Sequence, residues 1–232
     1  MKKIGFVGAF DKTDLIVQVA KILTVLGNRV LVLDTTITQK VKYIIPVINP
    51  TVSYVTEFEE IDIGVGFDDF EEVKEYLGLT EKESLNYDIV LIDIDSTKAF
   101  DNFDMRSAET NFFVTSFDLY SLKKGLEIIS GYKEEIPMTK ILYSKEMLQE
   151  EDDYLNFLSM KMNVNWNPNK IYFPFEQGDQ SVIIENQRVA KIKFRNLSEH
   201  YKESLLMVVN EIIKEIKFGE LRKVLRSIEK NS

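Results

Sequence analysis

The sequence predicts an α/β protein built on a doubly wound, mostly parallel sheet with helices on both faces. Three observations carry this. Short continuous apolar runs (RVLVL, YDIVLIDI, NFFVT, KILY) have the composition of strands buried on both sides. Segments with helical spacing alternate with them, as βαβ units require. The chain has 232 residues, 44% hydrophobic and 29% charged, which suits one large domain with an ample core.

In chain order, residues 3–9 form a first strand containing Gly5 and Gly8. From Thr13 onward, Leu15, Ile16, Val19, Ala20, Ile22, Leu23 and Leu26 recur at helical spacing, and Gly27 supplies a stop. Residues 29–33 are the second strand. The stretch 41–67 is less regular. It holds Pro46, Pro50 and three strand-like pieces, KYIIPVI, SYVTEF and IDIGVGF, and reads as a β-containing insertion into the single domain. A short helix follows over 68–77, then strands over 87–94 and 111–115, a helix over 119–129 and a strand over 140–143. A helix over 146–160 and a late strand over 170–173 come next. The tail from 198 to about 230 is helical and amphipathic toward its end.

Net charge is −9 with a pI near 4.9, so the overall field does not draw the chain to nucleic acid. Cysteine is absent, which excludes disulfides, thiolate metal sites and a cysteine nucleophile. The opening MKKIGFVGAF ends at Asp11-Lys12, too soon for a signal-peptide core. No run approaches the roughly 20 apolar residues that span a bilayer. The expected location is cytoplasmic, with any membrane contact peripheral.

The first loop, 8–14, is where chemistry is expected, because ligands of such sheets bind at the carboxyl ends of the strands. Gly8, Lys12 and Thr13 are what a phosphate cradle uses: glycine for close backbone approach, lysine for outer phosphates and a hydroxyl for magnesium. Asp34 and Asp93 end buried strands nearby. Asp93 is placed as the site carboxylate, and Asp95 as a loop carboxylate, on the opposite face unless the strand has ended.

The order of the pieces resembles the MinD/ParA family of P-loop ATPases over most of the chain. VLVLDTT resembles its second-strand motif, and YDIVLIDID its Walker B strand. TSFDLYSLKKGLEII, KILYSKEM and IYFPFEQ resemble its later strand and helix segments. The resemblance implies ATP with magnesium as cofactor. Gly8, Asp11, Lys12, Thr13, Asp14 and Asp34 would stand at the nucleotide, with Thr13 and Asp93 at the metal. The departures are as informative. The family loop reads Lys-Gly-Gly-x-Gly-Lys-Thr-Thr. Here Val7 replaces the signature lysine that reaches a partner's nucleotide, Ala9 and Asp11 replace glycines, and Asp14 replaces a hydroxyl. Thr36 replaces a frequent second acidic residue, and Ser144 stands near the adenine-reading Asn.

Asp11 and Asp14 have a physical meaning in that place. A helix N-terminus offers free N–H groups and partial positive charge to an anion. An Asp at the N-cap takes such an N–H itself, and carboxylates beside a triphosphate repel it. Other residues add little. His200 lies in a polar stretch and reads as surface. The acidic clusters 57–60 and 150–153 read as solvated faces. Residues 212–228 are amphipathic and locally basic; they read first as a terminal helix packed on the sheet, since 212–216 continue the preceding core helix, and the part after Gly219 is the better candidate for a free, membrane-binding surface.

The resemblance thus implies an atypical relative with an eroded nucleotide site and no assigned catalytic residue, similar to the TadZ/CpaE-type branch but without a receiver-like domain before it. Such a protein positions or scaffolds partner proteins, in a pilus or secretion assembly for example, and retains at most feeble ATP binding and hydrolysis. The alternative is an active partitioning ATPase that forms a homodimer on ATP. A ligase of the dethiobiotin-synthetase kind lacks any substrate motif here.

Overall fold

A computed structural model describes residues 1–46, 52–80, 82–144 and 149–231. Its sheet has eight strands among the described residues: β1 (Lys2–Val7), β2 (Val30–Asp34), β3 (Tyr54–Phe58), β4 (Ile61–Val65), β5 (Ile89–Ile94), β6 (Thr110–Ser116), β7 (Ile136–Ser144) and β8 (Val164–Pro174). They lie in the order β3-β4-β2-β5-β1-β6-β7-β8. Every neighbouring pair is parallel except β3–β4.

Strand alternation sends side chains to two cores. Phe6, Val32, Leu91 and Val114 face α1 (Thr13–Val25), α8 (Glu199–Ile212) and α9 (Phe218–Asn231). Val7, Leu33, Ile92 and Phe113 face α3 (Phe70–Tyr76), α4 (Thr97–Asn102), α5 (Leu119–Ile129) and α6 (Gln149–Ser159). Because Leu91 and Val32 look toward α1, Asp93 and Asp34 two residues on do so as well. This parity brings both carboxylates under the first loop.

Several elements differ from expectation. KYIIPVI, read as strand-like, opens as a one-turn helix, α2 (Val41–Ile44). Its first amide donates to Asp34 at 3.0 Å, and residues 47–51 lie outside the described part. β4 joins β2 in parallel and β3 returns beside it, so the 41–67 stretch extends the main sheet. The expected helix over 146–160 is described from Gln149. Between β8 and α8 runs a helix the apolar pattern does not announce, α7 (Gln177–Val189). Its buried side chains are Asp179 and Asn186, both polar. Asp179 accepts from the Ser198 amide and hydroxyl at 2.6 and 2.8 Å, tying α7 to the start of α8. The acidic clusters are not wholly solvated. Asp152 is buried between Lys140 at 2.6 Å and Lys170 at 2.7 Å.

The tail is two helices broken at residues 213–217, not one. Beyond Gly219 the apolar side is covered. Leu221, Leu225 and Ile228 are buried where α9 packs on α8 and α1. Of the two readings of the tail, the packed helix is the one found: the apolar stripe closes the core, and α9 has no such face to offer a bilayer while docked. Leu221→Ala should lower the unfolding free energy by about 2–5 kcal/mol, the cost of a buried leucine, when measured by urea denaturation. A solvent-facing leucine would change it by less than about 0.5 kcal/mol.

Candidate functional site

The carboxyl ends of β1, β2 and β5 open into a cleft of about 420 Å³. Its floor is the loop from Gly8 to Thr13. Its far walls carry Thr36, Lys40 and Tyr43 on one side and Tyr120 and Lys124 on the other. Gly8 has φ +149, and a Cβ there would lie 2.2 Å from the Val114 carbonyl oxygen of β6, so only glycine fits. The rest of the loop needs no glycine. Ala9 and Asp11 are not among the residues with positive φ, which is why the two glycines of the resembling motif can be absent.

Lys12 turns inward. Its ammonium lies 2.6 Å from Asp93 Oδ1, and the two side chains are only 2% and 4% exposed. It also donates to the Gly8 carbonyl at 2.9 Å. The approach to Asp93 is close yet lies outside hydrogen-bond angles, so we count it as an ion pair. Burial pushes the Asp93 carboxyl up to about 7; Lys12 opposes the rise and Asp34 adds to it. Of the carboxylates at this edge, Asp93 is the one Lys12 meets.

The expected cap at Asp11 is displaced. The N-cap position of α1 falls on Lys12, which makes no side-chain cap. Asp11 instead reaches past it and accepts from the Thr13 amide at 3.2 Å. Asp14 does not back it up at the helix start. Its carboxylate points away from the cleft and accepts from Gln187 of α7 at 2.9 Å. Lys40 bridges the two, pairing with Asp11 and lying 3.4 Å from Asp14. Burial raises the Asp14 carboxyl despite these partners. For Lys40 burial works the other way, but Asp11 and Asp14 outweigh it and raise its ammonium.

Asp34 is buried and fully engaged by its own loop. It accepts from the Thr36 amide at 3.0 Å, the Thr36 hydroxyl at 2.6 Å and the Val41 amide at 3.0 Å. Asp95 is a loop carboxylate as expected, just past the end of β5; it lies on the same side as Asp93, lines the cleft, and accepts from the Ile37 amide at 3.1 and 3.2 Å. Burial raises its carboxyl too. Gly8, Asp11, Lys12, Thr13 and Asp93 thus come together at the cleft, whereas Asp14 and Asp34 serve neighbouring contacts. Lys40, Lys124, Tyr43 and Tyr120 were not anticipated; they come from segments distant in sequence and carry no local motif.

The residues that would meet a magnesium triphosphate here already have partners within the chain. The carboxylate that would stand at the metal is held by a lysine. The phosphate lysine is turned down, and one of the helix amides is occupied by Asp11. Among the described residues no group of three or more His, Asp or Glu is placed to hold a metal ion.

No protein-family model matches the chain, and no curated protein matches it significantly. Solved structures do. MinD of Aquifex aeolicus in its complex with MinC, a cell-division assembly, aligns with TM-score 0.60 at 14% identity, covering 94% of this chain and 97% of that one. MinD of the same organism alone gives 0.59 at 13%, covering 94% and 99%. A plasmid partition protein of Borrelia burgdorferi bound to AMPPNP gives 0.58 at 13%, covering 93% and 99%. The fold is that of the MinD/ParA-like P-loop ATPases, and at such identities the likeness is one of fold.

The buried pair has a pH signature. A carboxyl whose folded value, about 7, exceeds its ordinary 3.8 lowers stability as pH rises through that window, since the folded state retains a proton the unfolded chain releases. Lys12 offsets this loss. Lys12→Ala should therefore cost about 3–5 kcal/mol near pH 8 and distinctly less near pH 5, where Asp93 holds its proton. Urea unfolding across pH measures the difference; a cost independent of pH would mean the pair is not the source.

Proposed function

We propose that this chain is a MinD/ParA-fold protein whose nucleotide site is given over to internal contacts, and which acts as a positioning or scaffold protein for partner proteins. The observation that carries the reading is the buried Lys12–Asp93 pair. The two groups that should hold phosphate and magnesium hold each other. Asp11 on the Thr13 amide and Lys40 between Asp11 and Asp14 support it, because each uses locally a charge or donor that a phosphate would need.

Dimerisation follows the same logic. Val7 replaces the signature lysine of the resembling loop and is wholly buried in β1, so it cannot reach a second copy. Two loops bearing Asp11 brought face to face would repel. Any homodimer of this chain forms through another surface and without nucleotide. The alternative, an ATPase that dimerises on ATP, draws support from Lys12, Thr13 and Asp93 remaining around an open cleft. The AMPPNP-bound Borrelia structure shows that this fold holds such a ligand.

Calorimetry with Mg-ATP should give a Kd weaker than about 1 mM, and sedimentation with and without Mg-ATP should show no shift in mass. The double variant Asp11→Gly, Asp14→Thr removes both carboxylates and should tighten ATP binding by roughly tenfold or more. Micromolar binding with an ATP-dependent dimer, lost in Lys12→Ala, would overturn the proposal in favour of the active ATPase.

A further inference from the structure

A second cavity, about 560 Å³, lies at the opposite end of the sheet from the cleft. Its walls come from four parts of the chain: Lys21 and Val25 of α1, Glu59 and Glu60 of the β3–β4 turn, Lys191 to Lys193, and Ser227 and Ile228 of α9. Three features of it are unusual together. First, Glu59 and Glu60 have φ +52 and +67. Two-residue hairpin turns of this left-handed kind ordinarily call for Asn and Gly, and such strain gathers at functional sites. Second, the turn is gripped by cations. Lys21 lies 3.5 Å from Glu59 and 3.1 Å from Glu60, and donates to the Glu59 carbonyl at 3.0 Å; Lys191 lies 3.1 Å from Glu59. Third, the half-buried Lys193 has no hydrogen-bond or ion-pair partner for its ammonium among the described residues. Three lysines thus face two glutamates in this cavity, leaving one positive charge uncompensated in a chain of net charge −9. Val25, Ile192 and Ile228 give the same cavity an apolar wall.

We propose that this cavity is a binding site for a small organic anion, a phosphate monoester or carboxylate on a short apolar body. Lys193 is the primary anchor. Lys191 and Lys21 are released to the ligand as it competes with Glu59, and the apolar body lies on Val25, Ile192 and Ile228. The site is independent of the cleft and of the reading given to it. It nonetheless adjoins two elements that lead there: Lys21 is two turns beyond Asp14 on α1, and Lys191 follows Gln187, the residue that holds Asp14.

Phenyl phosphate, with inorganic phosphate as comparison, tests this by amide NMR titration of the whole chain. Phenyl phosphate should move the resonances of 59–60 and 191–193 saturably and bind more tightly than inorganic phosphate, which has no apolar body. Lys193→Ala should weaken binding by roughly tenfold, the weight of one charge-assisted hydrogen bond. Glu59→Gln, which frees Lys191 and leaves Lys21 with Glu60 as its one carboxylate, should tighten it. Shifts absent from these residues, shifts confined to the loop 8–13, or affinity unchanged by Lys193→Ala would each overturn the site. The loop-only outcome would in addition speak against a nucleotide site given over to internal contacts, so the two readings fail separately.

Discussion

The ion pair between Lys12 and Asp93 is the contact on which the carboxyl edge of the sheet depends. Removing two charges from water costs more than their attraction commonly returns, unless the geometry is good and further donors and acceptors are met. Here Lys12 has the Gly8 carbonyl as a second partner, and Asp93 sits in the centre of a sheet with β1 and β2 on either side. The pair therefore fixes the loop more than it strengthens the fold. Lys12 can reach Asp93 only because Gly8 brings the loop down against the Val114 carbonyl. Asp93 faces the loop only because strand parity places it with Leu91 on the α1 side.

Around that pair the loop is held from outside by longer connections. Lys40 arrives from the segment after β2, and Gln187 from the far end of α7. Neither is close to the loop in sequence. A change in the loop must therefore be felt in two other places. α7 buries Asp179 and Asn186 and rests Val182 and Ile183 partly against the core, so its contact with the loop is polar while its hold on the domain is mixed.

How much of this was legible follows from what each element buries. RVLVL, YDIVLIDI, NFFVT and KILY are strands because they are apolar on both faces, and that is visible in composition. α7 was not legible, because a helix that buries an Asp and an Asn leaves no apolar period. α4 is one and a half turns long and turns only Ala99 and Phe100 inward. KYIIPVI has the composition of a strand, yet the amide of Val41 just before it is claimed by Asp34, a tertiary contact that overrides local preference. At the site, Lys12 and Asp93 could be placed because one opens the first helix after β1 and the other ends β5, at the carboxyl edge of a known type of sheet. Lys40 and Gln187 could not, because long side chains crossing from remote segments leave no local mark. The covered stripe of α9 shows the converse: amphipathicity is visible in sequence, but whether it meets a core or a surface is decided by the neighbours α1 and α8.

An open sheet always leaves two outer strands whose free backbone groups can recruit another chain. Here one outer strand, β3, runs against the direction of its neighbours and carries Glu57 exposed at its edge. The other, β8, carries the run Asn165 to Lys170 with Pro168 inside it, and its pairing with β7 slips between Met138 and Lys140. A proline without an N–H, a slipped register and charged or amide side chains all interrupt the ladder a newcomer would need. Growth of the sheet into a fibril is thereby discouraged at both ends, and contacts with other molecules are directed to side-chain surfaces instead of the backbone.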